Sequence, residues 1–290
     1  MFFATYKASI KTLLRSLLVW LAFALAVGVV IYNTMRISHG YVEMLPGGGV
    51  SGMIWDTDPR YVLGYDRYIG LMYNLNGKVM LYAMPLFTVI TAMVMMIRTH
   101  DDNFFEIEKA GGVSTATYFW GRIAALVTVN FVVLAVLAYL NVDLYYFTRG
   151  GLKDFTTMEF FRDSFVRVGR VLLFCMLPGM LFYLALTVAI SSLIKNGIAG
   201  GVVGLAMVLV NYMCATVLML RIPEFVGSFL DPSPQNLYNY WGFFDTEWSV
   251  YHPIMNAFTT KTMILCICII LGTSAVLGGV SLLVTKKRTR

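Results

Sequence analysis

Residue types that do covalent chemistry are few and scattered in this chain of 290 residues. The three histidines, His39, His100 and His252, are never close in sequence, so no transition-metal site is expected. The four cysteines, Cys175, Cys214, Cys266 and Cys268, lie in apolar runs, where small packing residues are the expectation. The nearest approach to a phosphate loop is Asn76-Gly77-Lys78-Val79, which lacks both the earlier glycine and the following Ser or Thr. No H-E-x-x-H pair and no G-x-S-x-G elbow occurs. Proton relays and intramembrane carboxylate pairs need acids inside apolar spans, and Asp143, near a span end, is the only one. The chain is therefore expected to catalyse nothing and to hold no cofactor of its own.

The chemistry that remains is recognition, and it concentrates in one loop. Residues 98–122 contain Asp101-Asp102-Asn103-Phe104-Phe105-Glu106-Ile107-Glu108-Lys109, then Gly111-Gly112-Val113-Ser114. Acids first and Lys109 toward the end suit the dipole of a short helix. Gly111-Gly112 would end that helix, and Ser114 would cap the next. Asp101, Phe104, Phe105, Glu106, Glu108 and Lys109 then form a charged and aromatic knob suited to docking. The plainer alternative is an interfacial connector.

The elements that must carry this loop are apolar. Six runs, at about 16–35, 80–97, 123–146, 171–193, 198–220 and 263–284, hold no Lys, Arg or Glu. A helix crosses the hydrocarbon core with about 20 mostly apolar residues. Runs this continuous read as helices rather than barrel strands, which alternate in polarity. The fold class expected is an all-α membrane protein, with residues 1–290 forming a single transmembrane domain. Apolar residues are 58% and charged residues 13% of the chain, which excludes an ordinary soluble domain. The first run contains Ala22-Phe23-Ala24 only mid-span and is expected to stay uncleaved.

Charge placement sets the orientation. With the N-terminus inside, the cytoplasmic pieces 1–15, 98–122, 194–197 and 285–290 carry eleven Lys and Arg against four acids, a net +7. The outer loops 36–79, 147–170 and 221–262 carry eleven against twelve, counting Asp143 with them, a net −1. The positive-inside rule therefore puts both termini in the cytoplasm; a net charge of +6 could suggest nucleic acid, but this placement argues against it. Residues 1–15 place Phe2, Phe3, Tyr6, Ile10, Leu13 and Leu14 at helical spacing, with Lys7, Lys11 and Arg15 four apart. That is the pattern of an amphipathic helix lying on the inner membrane surface, the plainer alternative being a basic lead-in that sets topology.

Other features concern packing. Pro85 and Pro178-Gly179 are candidate kinks. Only Lys195 and Asn196 remain outside the apolar sequence before Gly197, which predicts a tight helical hairpin between the fourth and fifth runs. The fifth run overlays two small-xxx-small pairs, Gly197/Gly201 and Gly200/Gly204, a spacing that allows close backbone approach. Packing within one subunit and a dimer seam are both open to them. Asn130 and Asn211 fall mid-span, placed either to hydrogen-bond a neighbouring helix or to line a path. Loop 36–79 is rich in Gly and Tyr, consistent with a small outer cap or loose interfacial segments.

This order of features resembles the membrane subunit of type-two ABC exporters, a class that includes bacterial drug, peptide and polysaccharide permeases. Glu106, Glu108, Lys109, Gly112-Val113-Ser114 and Gly121-Arg122 match its second cytoplasmic segment, with Gly112 where members carry Pro. Ser191-Ser192 through Gly200 looks like the family's junction between spans four and five. The resemblance implies a permease in a bacterial plasma membrane, docked through loop 101–112 on a separate ATPase that holds ATP and Mg. It further implies a second permease subunit, identical or related, and a hydrophobic or amphiphilic cargo such as peptide, lipid or drug. The rival is a multi-pass sensor or assembly protein whose aromatic outer loops, 36–79 and 221–262, bind an external ligand. A membrane enzyme ranks third, since its catalytic groups are missing.

Overall fold

The computed structural model describes residues 1–37, 40–44, 50–55, 83–101, 111–150, 156, 158–161, 165, 168–169, 172–213 and 260–288. Helices α1 (Phe2–Arg15) and α2 (Leu17–Ile37) lead into strands β1 (Gly40–Met44) and β2 (Val50–Trp55). Then come α3 (Met84–Asp101), α4 (Thr115–Gly150) and a single turn, α5 (Met158–Phe161). A wide π-helical turn, Leu172–Met176, runs into α6 (Leu177–Ile194), followed by α7 (Gly197–Met213) and α8 (Thr260–Arg288).

Helix α1 ends because Ser16 turns to extended geometry (φ −79°, ψ 119°), and α1 and α2 meet at 66°. The Trp20 indole N–H donates to the Leu14 carbonyl oxygen at 2.7 Å, satisfying one of the acceptors left at the end of α1. Pro85 and Pro178, the candidate kinks, lie in the first turns of the α-helical stretches α3 and α6, Pro178 just past the π-helical turn Leu172–Met176. Between α6 and α7, Lys195 takes the left-handed conformation (φ 60°). Asn196 Oδ1 then accepts from the backbone N–H groups of Ile198 at 2.9 Å and Ala199 at 3.2 Å. The expected hairpin closes with one αL residue and one cap.

Two apolar clusters define the bundle. A basal cluster gathers Leu13, Val19, Ala22, Phe87, Met95, Phe119, Leu126, Leu184 and Val188, with Leu282 packed on it. A distal cluster gathers Ala26, Val30, Met84, Leu134, Val142, Met176, Met180 and Ile270, with Leu205 and Val208 packed on it. Following the chain, α2, α4 and α7 run from basal to distal and α3, α6 and α8 return. The first and last helices thus bring their outer ends to the same side.

Three helical stretches, Thr115–Leu144, Leu177–Ile194 and Ile267–Lys287, are by themselves long and apolar enough to cross a membrane, or four if bent α1–α2 counts as one span. The apolar parts of α3 and α7, Met84–Thr99 and Gly197–Leu209, are shorter within the described residues. The bundle is thus of membrane type, with a hairpin added to its helices. Strands β1 and β2 pair antiparallel, Gly40 opposite Trp55, with Ser51 as an extra residue across from the Glu43–Met44 step. The two strands flank Leu45-Pro46-Gly47-Gly48-Gly49, a turn-forming sequence.

Glycines fix how α7 packs. A Cβ at Gly197 would fall on the backbone nitrogen of Ile97, and one at Gly201 would lie 2.6 Å from Met93 Cγ. On the other flank, a Cβ at Gly200 would meet the Ser191 hydroxyl and lie 2.7 Å from the Thr187 carbonyl oxygen. At Gly204 it would lie 2.7 Å from Thr187 Oγ1 and 2.9 Å from Val89 Cγ1. Gly197/Gly201 therefore seat α7 on α3, and Gly200/Gly204 seat it chiefly on α6. Both rows are filled within one chain. By contrast nothing lies within 4 Å of a Cβ built at Gly278 or Gly279 on α8.

Gly197→Ala and Gly200→Ala, which strike backbone atoms, are each expected to destabilise by about 1–3 kcal/mol. Gly201→Ala meets only the flexible Met93 side chain and should cost less, while Gly278→Ala should be neutral. Thermal midpoints of the purified variants in one detergent test this ranking, and equal midpoints for all four would refute it.

Candidate coupling site

The basal end of the bundle is where the sequence placed its recognition loop. Helix α4 begins with the expected cap: Ser114 Oγ accepts the Thr117 backbone N–H at 3.2 Å and donates to Thr117 Oγ1 at 2.8 Å. Just before it, Gly112 takes φ +79°, a conformation that suits glycine. With 36 residues, α4 is about 54 Å long at 1.5 Å per residue, well beyond a hydrocarbon core. Its first turns carry Tyr118, Gly121 and Arg122.

Arg122 is the central group. Only 8% of its surface is exposed, although it enters the charge count as if it were solvated. Its guanidinium lies over the Tyr118 ring, 4.3 Å from the centroid, and Nη1 donates to Thr99 Oγ1 at the end of α3. Thr99 Oγ1 in turn donates to the Met95 carbonyl oxygen at 2.7 Å. One cation thus ties α4 to α3 where the loop between them begins and ends. A stacked cation in a desolvated site contributes about 2 kcal/mol, more than a surface pair.

Helix α1 braces the same stem. Its buried row is Thr5, Ser9 and Leu13, small enough for close approach to α4. A Cβ at Gly121 would lie 3.1 Å from Thr5 Cγ2 and 3.5 Å from the Phe2 carbonyl oxygen. Further along, the Tyr6 hydroxyl donates to Thr128 Oγ1 at 3.2 Å. The Met1 side chain reaches to 3.9 Å of the Cβ position at Gly112.

Of the recognition residues read from sequence, Asp101 closes α3, and Phe104, Phe105, Glu106, Glu108 and Lys109 lie outside the described residues. Asn130 is fully buried between α4 and α3. Its Nδ2 donates to Thr91 Oγ1 and to the Leu126 carbonyl oxygen, each at 2.9 Å. Thr91 Oγ1 has further partners in the Phe87 and Thr88 carbonyl oxygens at 3.0 and 2.9 Å. Asn211 lies in α7, which is described only to Met213. Among the described residues no group of three or more His, Cys, Asp or Glu gathers at metal-binding distance. Cys268, expected as a packing residue, is exposed on α8.

Sequence reasoning missed Arg122, Tyr118, Thr99 and Thr5 as members of one site. The available signal was an Arg four residues after a Tyr, beside a Gly, at the mouth of an apolar run. No family model matches this chain, nor does any curated protein or solved structure.

Arg122→Ala is expected to lower stability by about 2–4 kcal/mol, through lost stacking, packing and a charged hydrogen bond. Arg122→Lys should recover little of it, because a point charge cannot replace the planar stack. Asn130→Leu should cost about 0.6–1.7 kcal/mol, the range for one interhelical hydrogen bond in a membrane bundle. Unfolding midpoints would check all three. Wild-type midpoints at residue 122 would remove the clamp.

Proposed function

We propose that this chain is the membrane subunit of a type-two ABC exporter. In this reading α2, α3, α4, α6, α7 and α8 cross the plasma membrane six times, and both termini lie in the cytoplasm. Loop 98–122 docks on a separate ATPase, which supplies ATP and magnesium. Two such subunits, identical or related, enclose one path for a hydrophobic or amphiphilic cargo.

The observation that carries the reading is the bracing of the loop's two stems. Arg122 joins the end of α3 to the start of α4, and α1 lies against α4 through Thr5 and Gly121. A push on the loop therefore moves α3 and α4 together. Helix α3 is also seated on α7 through Ile97 and Met93 against Gly197 and Gly201, with backbone as close as packing allows. Close-packed elements slide or rotate as units and do not absorb a displacement smoothly. ATPase closure at the base can thus reach α7 through two rigid contacts. The energy enters as the ATPase's different affinity for the two arrangements of the loop.

Further support comes from the alternating direction of the apolar helices and the basal position of α1 and of the last turns of α8. The scarcity of ionisable groups in the apolar runs favours an external energy source over a proton relay.

The test is purification of the tagged protein from its native membrane in gentle detergent, with mass spectrometry of co-purifying chains. An ATPase bearing a phosphate-binding loop is expected in stoichiometric amount. The double charge reversal Glu106→Lys and Glu108→Lys should release it while membrane insertion is unchanged. Recovery of the protein without any ATPase, under conditions that hold other complexes together, would favour the sensor reading instead.

A further inference from the structure

Helix α1 has more faces than docking on α4 uses. At 100° per residue, the buried row Thr5, Ser9 and Leu13 leaves Lys7, Lys11 and Arg15 on almost the opposite side. All three cations are exposed, and no acidic side chain among the described residues pairs with them. Residues 1–37 contain no Asp or Glu at all. Between the cationic and the buried rows runs an apolar flank, with Phe3 79% exposed and Leu14 49% exposed. Past the bend at Ser16 that flank gives way to an exposed stripe on α2, made of Leu17, Leu21 and Leu25.

We infer that α1 and the start of α2 form a binding surface for anionic phospholipids. Phosphate headgroups sit on Lys7, Lys11 and Arg15, and the acyl chains lie along Leu17, Leu21 and Leu25. The three cations are one helical turn apart, about 6 Å between neighbours, which suits a row of adjacent headgroups. Because Thr5, Ser9 and Leu13 fix α1 to the bundle, the row is held in place before lipid binds. A cationic row with no counterion among the described residues, beside an apolar flank, matches a headgroup and its chains together, which an acidic soluble partner does not. This surface goes beyond the transport reading and does not depend on it. It does bear on it, since the helix it loads is the one bracing Arg122 and Gly121.

The experiment uses full-length protein in a neutral detergent, with its unfolding midpoint followed as phosphatidylglycerol or phosphatidylcholine of the same acyl chains is added. Phosphatidylglycerol is expected to raise the wild-type midpoint well above the effect of phosphatidylcholine. The triple variant Lys7→Gln, Lys11→Gln, Arg15→Gln should keep the detergent-only midpoint and the phosphatidylcholine response but lose the difference. At about fivefold in affinity per cation near an anionic surface, three substitutions weaken phosphatidylglycerol binding roughly a hundredfold. The wild-type protein supplies a second reading should the variant fold poorly: 0.5 M added salt, with a Debye length of about 4 Å, should abolish the difference. Equal effects of the two lipids on wild type, or a salt-resistant difference, would overturn the proposal. So would a phosphatidylglycerol response retained by a well-folded variant, or the same rise produced by inorganic phosphate alone.

Discussion

Apolar helices surrounded by hydrocarbon gain nothing from touching one another merely by being apolar, so shape has to hold them together. In this protein that constraint falls on α7. Its four glycines let the helix sink onto α3 by one row and onto α6 by the other, until side chains and backbone of the neighbours occupy the space of the missing Cβ atoms. The close approach is possible because the two rows are offset around the helix, so that each neighbour meets glycine where it comes nearest. Ser191, Thr187, Met93 and Ile97 are the complementary surface, and none of them announces that role by type. Dispersion and packing density do here what the hydrophobic effect does in a soluble core.

Polar groups complete what packing begins. Asn130 and Thr91 bridge α4 and α3 midway, and Arg122 bridges the same helices at the basal end over Tyr118. A buried guanidinium is costly to desolvate, and the aromatic face and hydroxyl offset part of that cost. The result is a pair of helices tied at two depths, with the basal tie placed at the roots of loop 98–122. A connection anchored at one root only would let the loop swing without moving the bundle. Helix α1, lying across α4, shortens the free lever still further.

Much of the architecture follows from local patterns. Continuous apolar runs fix where α2, α3, α4, α6, α7 and α8 lie, and period and charge together define α1. The caps at Ser114 and Asn196 and the two-residue link at Lys195 are equally local, since each depends on a side chain meeting backbone groups within three residues. The prolines were less legible. Whether Pro85 and Pro178 start or kink a helix depends on where the helix begins, and a run of apolar residues does not mark that boundary. The hairpin of β1 and β2 was not legible either, because Gly-rich segments are compatible with several backbones and pairing across the turn selects one.

The sequence alone therefore determined the helical content, the hairpin of α6 and α7, the spacing of the glycines and the amphipathic character of α1. Those are properties of one helix or one turn, set by residue type and period. Only the tertiary structure decided that Gly197 and Gly200 serve different neighbours, that Asn130 pairs with Thr91, and that Arg122 is a buried clamp rather than a solvated topogenic charge. Each of these is a contact between residues of separate helices, at distances in sequence such as 23 for Arg122 and Thr99 and 39 for Asn130 and Thr91. The rotation of each helix about its own axis selects such partners. That rotation is fixed by the whole set of neighbours at once, and no single apolar run contains it.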